Sequence, residues 1–301
     1  MKSVDGRCRI CGASSDLLRL SEFNLRICPT CFSHFYERRV RRALENDGMV
    51  SEGEKIVLAI SGGKDSTALL FTLKRLAVVM GFELEALHFH LNMGDYSDLN
   101  LDVVKEQAAA AGVGLRVAYI GQMGLRIERV KDWRPCAVCG AIKRALMNRE
   151  GRRLGARAVA TAHTLEDALL FTFKNLLSRK LYTPPAVLPE TAELPRKIKP
   201  LIYMPERLNA TYCQLRGIAF FEEKCPVWTP QGHSLKRVFE QMEELMPSSK
   251  LQLLLSLKQA LPAEDESQKG MINCEQCGEM SSQSLCSLCR LQEWFSRAHG
   301  S

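Results

Sequence analysis

The sequence predicts an α/β fold: an open parallel sheet with helices on both faces, flanked at each end of the chain by a small cysteine-rich unit. Two observations lead to this prediction. Short β-branched apolar runs alternate with segments of helical apolar spacing over residues 55–177, which is the pattern of parallel βαβ units. Ten of the 12 cysteines fall into five C-x-x-C pairs, and four of those pairs stand near the termini.

The predicted elements follow in order along the chain. A helix over residues 32–46 comes after the first cysteine unit and stops near Gly48. Strands are expected at 55–60, 84–91, 114–120 and 156–161, and helices at 66–80, 99–111, 139–154 and 165–177. Gly81 and Gly112 directly follow two of these helices, as glycine does at helix C-termini.

The second half is predicted to be less regular. Five prolines within residues 178–200 indicate a loop with extended pieces. Helices are expected at 205–217 and twice within 233–260, then a polar linker at 261–270 and a second cysteine unit at 274–289 with a short tail. The chain should therefore divide into a cysteine unit with a basic helix (1–48), a catalytic domain (49–262) and a second cysteine unit (271–301).

Composition and charge narrow the function classes. With 46% hydrophobic and 25% charged residues, the chain is neither disordered, collagen-like nor a coiled coil. It has no run of 18 apolar residues, and its first residues lack the apolar core of a signal peptide. We expect a cytoplasmic protein without a membrane span, whose reduced cysteines hold metal.

The positive charge is concentrated in three runs. The formal net charge is +7, and Lys and Arg outnumber Asp and Glu by nine to four in residues 1–42, nine to two in 129–158 and six to two in 174–199. A solvated surface would explain any one run. Because each run lies beside a chemical motif, together they favour a polyanionic partner such as RNA.

A phosphate-binding loop is predicted at residues 61–66, SGGKDS, where the first long strand meets its helix. Glycines let the backbone approach an anion, and a helix N-terminus offers free N–H groups. A Walker loop is excluded, since Leu58 stands where it needs glycine and Asp65 where it needs Ser or Thr. A second motif, residues 160–177, follows the last long strand; its His163 either caps the helix or contacts a nucleotide.

The cysteines predict two kinds of site. Two sets of four match the spacing of closed zinc ribbons, with rubredoxin-type iron or a ligand role for His34 as alternatives. The sets are Cys8, Cys11, Cys28 and Cys31, and Cys274, Cys277, Cys286 and Cys289. The fifth pair, Cys136 and Cys139, has Cys225 as its expected partner, while Cys213 is expected in the core.

Three thiolates suit a 4Fe–4S cluster with one iron left open. The alternatives are a catalytic persulfide or disulfide pair and a third zinc site. A helix N-terminus with nearby Arg134, Lys143 and Arg144 would lower a thiol pKa and so serve the persulfide alternative.

The motifs together resemble a known family. SGGKDS resembles the PP-loop of ATP pyrophosphatase-type enzymes, whose fold is adenine nucleotide alpha-hydrolase-like. Residues 160–177 resemble that family's ATGHNxDDxxxxxxxNLL pattern: His163, Asp167 and Asn175 match, whereas Ala162, Thr164 and Glu166 stand in place of Gly, Asn and Asp. With CxxCGxxKR, PRKIKPLIYMPE, EKCP and a ribbon at each end, nearly the whole chain resembles the TtuA-type tRNA 2-thiolation enzymes.

The resemblance implies that ATP adenylates the C2 oxygen of a tRNA pyrimidine, expected to be uridine 54, and that sulfur replaces it by way of a 4Fe–4S cluster on Cys136, Cys139 and Cys225. It implies catalytic roles for Asp65 and Lys143. It also implies Mg²⁺ with the ATP, two Zn²⁺, a homodimer, and a sulfur donor that is a ubiquitin-like thiocarboxylate carrier, sulfide or a persulfide. The implied ATP-binding residues are Ser61, Gly62, Gly63, Lys64, Asp65, Ser66, His163 and Asp167.

Other functions stay open at this point. The thiolated nucleoside could be the wobble uridine 34 or cytidine 32. A PP-loop amidotransferase or ligase would need no cluster. A non-catalytic zinc-ribbon RNA-binding subunit would need no phosphate loop, so the intact SGGKDS argues against it.

Overall fold

The structure is a computed structural model that describes residues 6–191, 194–227, 233–262 and 272–299. The chain begins with an antiparallel hairpin, β1 (Leu18–Leu20) and β2 (Leu25–Ile27), and continues into helix α1 (Pro29–Asn46). This helix begins before the predicted residue 32, because Pro29 occupies a first-turn position in which proline is tolerated.

A six-stranded sheet forms the centre of the molecule. Its strands are β3 (Lys55–Ile60), β4 (Glu83–His90), β5 (Gly114–Tyr119), β6 (Ala158–Ala160), β7 (Val187–Leu188) and β8 (Arg196–Ile198). They lie in the order β5–β4–β3–β6–β8–β7, and among these strands only β7 pairs antiparallel. The predicted parallel sheet is confirmed, with an edge drawn from the proline-rich segment.

Seven helices accompany the strands of this sheet within the described residues. They are α2 (Lys64–Met80), α3 (Asp95–Ala111), α4 (Pro135–Arg153), α5 (Leu165–Leu177), α6 (Glu206–Leu215), α7 (His233–Leu245) and α8 (Ser249–Ala260). Two of them begin four residues before the predicted position, at 95 rather than 99 and at 135 rather than 139. In both helices the added residues are mostly polar or small, so apolar spacing could not reveal them.

The C-terminal unit contains a short hairpin, β9 (Ile272–Asn273) and β10 (Met280–Ser281), followed by helix α9 (Ser287–His299). The sequence predicts only a short tail after residue 289, and this helix was not predicted. Leu288, Leu291 and Phe295 are buried at helical spacing, and α9 packs against α4. Most of the predicted polar linker lies outside the described residues.

Helices cover both faces of the sheet. Alternate residues of β3 enter two different cores: Ile56 and Leu58 share one with α1, α2, α5 and α6, whereas Val57 shares the other with α4 and α9. The first core continues into the N-terminal hairpin, so the boundary at residue 48 stays a prediction. None of the helices described is both long and apolar enough to span a membrane.

Candidate active site

The phosphate loop, residues 61–66, turns sharply between β3 and α2. Gly62 has φ +81°, and a Cβ there would lie 2.6 Å from Asn100 Nδ2, so both conformation and space require glycine. Gly63 is the N-cap of α2 and makes no side-chain capping hydrogen bond. The first N–H groups of α2 are therefore available to an anion.

Neighbouring elements hold this loop in place. The Gly62 carbonyl accepts hydrogen bonds from Gln107 Nε2 at 3.1 Å and from the Phe221 backbone N–H at 2.9 Å. Asn100 Nδ2 donates to the Ser61 carbonyl at 3.0 Å. The loop is thus fixed by α3 and by the segment after α6, and its Ser61 and Ser66 hydroxyls lie 3.0 Å apart.

A chain of alternating charges lies at the start of α2. Lys64 Nζ is 2.5 Å from Glu206 Oε1 and 3.1 Å from Asp65 Oδ2, and Asn209 Nδ2 donates to Asp65 Oδ1 at 2.7 Å. Burial works to lower the pKa of Lys64, but the carboxylates of Asp65 and Glu206 prevail and raise it. Lys64 is therefore a fixed cation at neutral pH.

Lys236 of α7 extends this chain. Its Nζ is 2.8 Å from Glu206 Oε2 and 2.7 Å from Asp167 Oδ1. The other oxygen of Asp167 accepts from the Thr164 backbone N–H at 3.0 Å, and Thr164 Oγ1 caps α5 in return. Both oxygens of Asp167 are thus engaged in holding α5 and α7, and its expected contact with ATP stays a prediction.

A cavity of about 620 Å³ opens beside the loop, at the carboxyl ends of the strands. His163 lies in its wall, with Nδ1 2.8 Å from Thr161 Oγ1, and does not cap α5 because Thr164 does. The wall also contains Ser61, Lys64, Asp65, His88, Tyr96, Asn100, Lys143, Phe220, Phe221 and Glu222.

His88 is a cavity residue that the sequence motifs missed. Its Nδ1 is 3.0 Å from the Ile60 carbonyl, which can only accept, so Nδ1 carries the proton and Nε2 is an acceptor. Burial, with Lys143 and His90 nearby, lowers the pKa of His88 to about 4. The ring is therefore neutral at physiological pH.

The three cysteines of the predicted cluster approach one another next to this cavity. Cys136 and Cys139 occupy the first turns of α4, and Cys136 Sγ lies 3.3 Å from the Val227 carbonyl, two residues beyond Cys225. Burial and the Cys225 and Cys136 thiols raise the pKa of Cys139, and Lys143 opposes them by charge and a hydrogen bond. Burial together with Cys225 and Cys139 raises the pKa of Tyr96 to about 12.

The terminal cysteines form two compact groups. In each, the four Sγ atoms all lie within 4.8 Å of one another, with Cys11 and Cys28 3.7 Å apart in the first and Cys277 and Cys286 3.6 Å apart in the second. Such groups suit one tetrahedral ion each. The first is complete without His34. In the described residues, Cys136, Cys139 and Cys225 do not form a group this tight.

The structure brings most of the predicted site residues to one place, but Glu206, Asn209, Asn100 and Lys236 were not predicted as site residues. No local motif marks the last three. Glu206 stands inside PRKIKPLIYMPE without an assigned role. Cys213, 0% exposed, lies in the core as predicted.

Comparisons with known proteins place the chain in a family. A model described as a PP-loop domain matches residues 33–227. A tRNA-5-methyluridine(54) 2-sulfurtransferase of Thermus thermophilus is 31% identical, with 94% of this chain and 90% of the relative covered. The Pyrococcus horikoshii protein of the same name is 29% identical over 94% and 93%.

A solved structure has the same fold. The U34-tRNA thiolase NcsA from Methanococcus maripaludis, with its 4Fe–4S cluster, superposes with a TM-score of 0.82 at 19% identity, covering 98% of this chain and 97% of that one. The resemblance predicted from the motifs is confirmed. The chain belongs to the PP-loop family, in the group that contains the tRNA 2-sulfurtransferases.

Proposed function

We propose that this protein is an ATP-dependent tRNA sulfurtransferase that replaces the C2 oxygen of uridine 54 with sulfur. The observation that carries the proposal is the position of Lys143, which lines the cavity beside the phosphate loop and whose positive charge acts on the Cys139 thiol. One lysine thus connects a nucleotide site to a cysteine site. Both related sulfurtransferases are named for position 54 and match over nearly their whole length.

The first step activates the base. The loop at residues 61–66 and the start of α2 bind the ATP phosphates, with Mg²⁺. The C2 oxygen attacks the α-phosphorus, the bond between the α-phosphorus and the α–β bridging oxygen breaks, and pyrophosphate departs. The N3 proton passes to solvent, and the base is then adenylated on its C2 oxygen. Lys64 and Lys143 offset the negative charge that develops on the phosphates and at C2. Asp65, fixed by Asn209, holds the position of Lys64.

The second step delivers sulfur. Hydrosulfide, supplied as such, released from a protein thiocarboxylate by hydrolysis or released from a persulfide by a reducing thiol, attacks C2; the C2–O bond breaks, AMP leaves, and the proton on sulfur passes to N3. Cys136, Cys139 and Cys225 would hold a 4Fe–4S cluster, since these residues, one exposed and two partly buried, approach one another without the tight cage of a single-ion site. Such a cluster, bound by three thiolates, supplies an open iron position for a sulfur ligand.

The remaining parts support this chemistry. Each terminal group of four cysteines takes a structural Zn²⁺, since four thiolates leave no open position. The basic runs bind the tRNA backbone, and the target base is unstacked to enter the cavity. The 12 free thiols fit a reducing, cytoplasmic location, and a homodimer is the proposed assembly.

A matched pair of cysteine variants tests the proposal. Purified under anaerobic conditions and supplied with tRNA, ATP, Mg²⁺ and sulfide, the protein should yield 2-thiouridine with equimolar AMP and pyrophosphate. Cys225→Ala should abolish thiolation and the cluster's visible absorption, whereas Cys213→Ala, in the core, should keep both. Full thiolation by Cys225→Ala would contradict the proposal that a cluster is required. Hydrolysis of ATP to ADP, in place of AMP and pyrophosphate, would contradict the adenylation step.

A further inference from the structure

A second cavity, of about 360 Å³, lies outside the nucleotide site, between residues 130–133 and helix α9. Two of the three tryptophans in the chain, Trp133 and Trp294, line it. The charged residues of its wall are three cations, Lys131, Arg290 and Arg297, and two anions, Asp132 and Glu293. We call it the tryptophan pocket.

The walls of the tryptophan pocket are held by backbone and packing. Val130 and Trp133 exchange two backbone hydrogen bonds, of 3.1 and 2.9 Å, which close a turn that leaves Trp133 38% exposed. On the other side, the ring of Trp294 meets buried Phe295 edge-on at 5.1 Å. Gln292 of α9 donates to the Met123 carbonyl at 3.0 Å, which ties α9 to the segment before the turn.

The tryptophan pocket is close in the chain to two of the predicted cluster cysteines, and cations of its own lie in its wall. Trp133 precedes Cys136 by three residues in the chain. Among the cations of the pocket itself, Arg297 has an 83% exposed side chain that lies 3.7 Å from Glu293. A nucleic-acid strand entering here would therefore meet positive charge at the mouth of the pocket.

The geometry points to the tryptophan pocket as the site of an unstacked nucleobase of the tRNA, one that neighbours the base being thiolated. Aromatic faces stack any base, and flanking Lys and Arg pair with the phosphates on either side. The target base itself must enter the other cavity, beside Lys64 and Lys143, so the two pockets hold different bases. This inference rests on the proposed function, because it takes tRNA to be the substrate.

Affinity for tRNA tests the pocket without any chemistry. Trp133→Ala and Trp294→Ala should each weaken binding of a tRNA transcript by on the order of 10-fold, since stacking on an aromatic ring contributes that much per base. Trp133→Phe should keep most of the affinity. Val78→Ala, which shortens an 81% exposed apolar side chain on α2 outside the three basic runs, is the control and should bind normally.

The salt dependence of tRNA affinity distinguishes the contribution of aromatic stacking from that of charge. Arg290→Gln and Arg297→Gln should each reduce the slope of log K against log salt by about one, whereas the tryptophan variants should keep the wild-type slope. Lys105→Gln, an exposed lysine on α3 paired with Asp102, is the control for charge. In thiolation, the tryptophan variants should raise the KM for tRNA and leave the KM for ATP unchanged.

Three outcomes would overturn the inference. Wild-type affinity in both tryptophan→Ala variants would do so, as would an equal loss in Val78→Ala. Normal tRNA binding combined with lost response to a thiocarboxylate carrier protein would make the pocket a protein site instead. Because tRNA binding is measured without ATP or sulfur, failure of thiolation in the wild type would refute the proposed function and leave the binding result standing.

Discussion

Lys64 shows how single residues prepare this site for its substrate. Before ATP arrives, its charge is shared between Asp65 and Glu206, and Lys236 contacts the other oxygen of Glu206. ATP phosphates must therefore compete with Glu206 for Lys64. When Lys64 moves to a phosphate, Lys236 still neutralises Glu206, so no carboxylate is left buried without a partner.

The first prediction concerns this competition. Glu206→Gln removes the competing negative charge, so the Kd for ATP should fall a few-fold, as measured by equilibrium binding without tRNA. Glu240→Gln, which removes a carboxylate that pairs with Lys250, is the control and should leave the Kd unchanged. A weaker affinity in Glu206→Gln would show that Glu206 assists ATP binding.

The second prediction follows from His88. Its folded pKa of about 4 lies below its ordinary value of 6.5, so the unfolded chain binds the proton more readily between these values. The stability that neutral His88 provides is complete above pH 6.5 and is lost as the pH falls towards 4. Between pH 7 and pH 5 this amounts to about 2 kcal/mol.

Urea unfolding at both pH values measures this effect. His88→Asn cannot titrate and should lose less stability on acidification than the wild type, whereas His34→Asn, at an exposed position on α1, should behave as the wild type. Equal losses in His88→Asn and the wild type would contradict the assignment.

At this scale the sequence can group site residues only where they are neighbours in the chain. Lys64 and Asp65 stand in one motif, and the structure places them together in the cavity wall. Glu206 lies 142 positions from Lys64, and Asn209 lies 144 from Asp65. Contacts of this kind depend on how α6 packs against α2, which no local pattern encodes.

At the scale of elements, the conformation of the phosphate loop between β3 and α2 depends on helix α3, which packs against it. Gly62→Ala would require φ near +81° and push its Cβ against Asn100 of α3. We expect it to lower ATP affinity at least 10-fold. Gly124→Ala has similar strain at φ +67° but an open surrounding, so it should cost only about 1 kcal/mol of stability and leave ATP binding intact. Equal ATP affinity in both variants would contradict this role for α3.

The helical pair α7 and α8 docks on α5 through a buried charge. The side chain of Lys250 is fully buried; its Nζ is 2.6 Å from Glu166 Oε1 and 2.7 Å from Glu240 Oε1. Glu166 also accepts from the Glu206 backbone N–H at 2.9 Å. The longer side chain at 166, where the family usually has Asp, therefore links Lys250 to the start of α6.

Removing this lysine should be costly. Lys250→Met leaves Glu166 buried without its cation, and we expect a loss of about 3–5 kcal/mol in the free energy of unfolding, measured with urea. Combining it with Glu166→Gln should recover part of that loss, because no buried charge then remains. If the two losses simply added, the pair would not be coupled.

The prediction of helices and strands from the sequence depended on the length of each element and on how regularly its apolar and polar residues are spaced. The strand Lys55–Ile60 and the helix Leu165–Leu177 match their predicted bounds, since one is a compact apolar run and the other has a capping box at Thr164. Strands β7 and β8 have only two and three residues, too few for a period to emerge. Helix α9 was missed because its first turn is also part of the C-terminal cysteine unit.

For the whole molecule, the two cysteine units are parts of the catalytic body. The N-terminal hairpin and Cys28 share the core beneath α1 and α2, and the C-terminal sulfurs share the core between α4 and α9. Because α9 packs against α4, the tryptophan pocket forms between α9 and residues 130–133, which directly precede the cysteines of α4. The spacing of the cysteines predicted both units, but only tertiary packing shows that they share the two cores of the central sheet.

The central claim is that this chain thiolates tRNA. Mass spectrometry of nucleosides from the tRNA of a strain lacking its gene tests this most directly. The 2-thio derivative at position 54 should disappear and should return with the wild-type gene but not with Lys64→Ala. An unchanged level of 2-thiolated nucleosides in that strain would contradict the claim, and loss confined to position 34 would reassign the target.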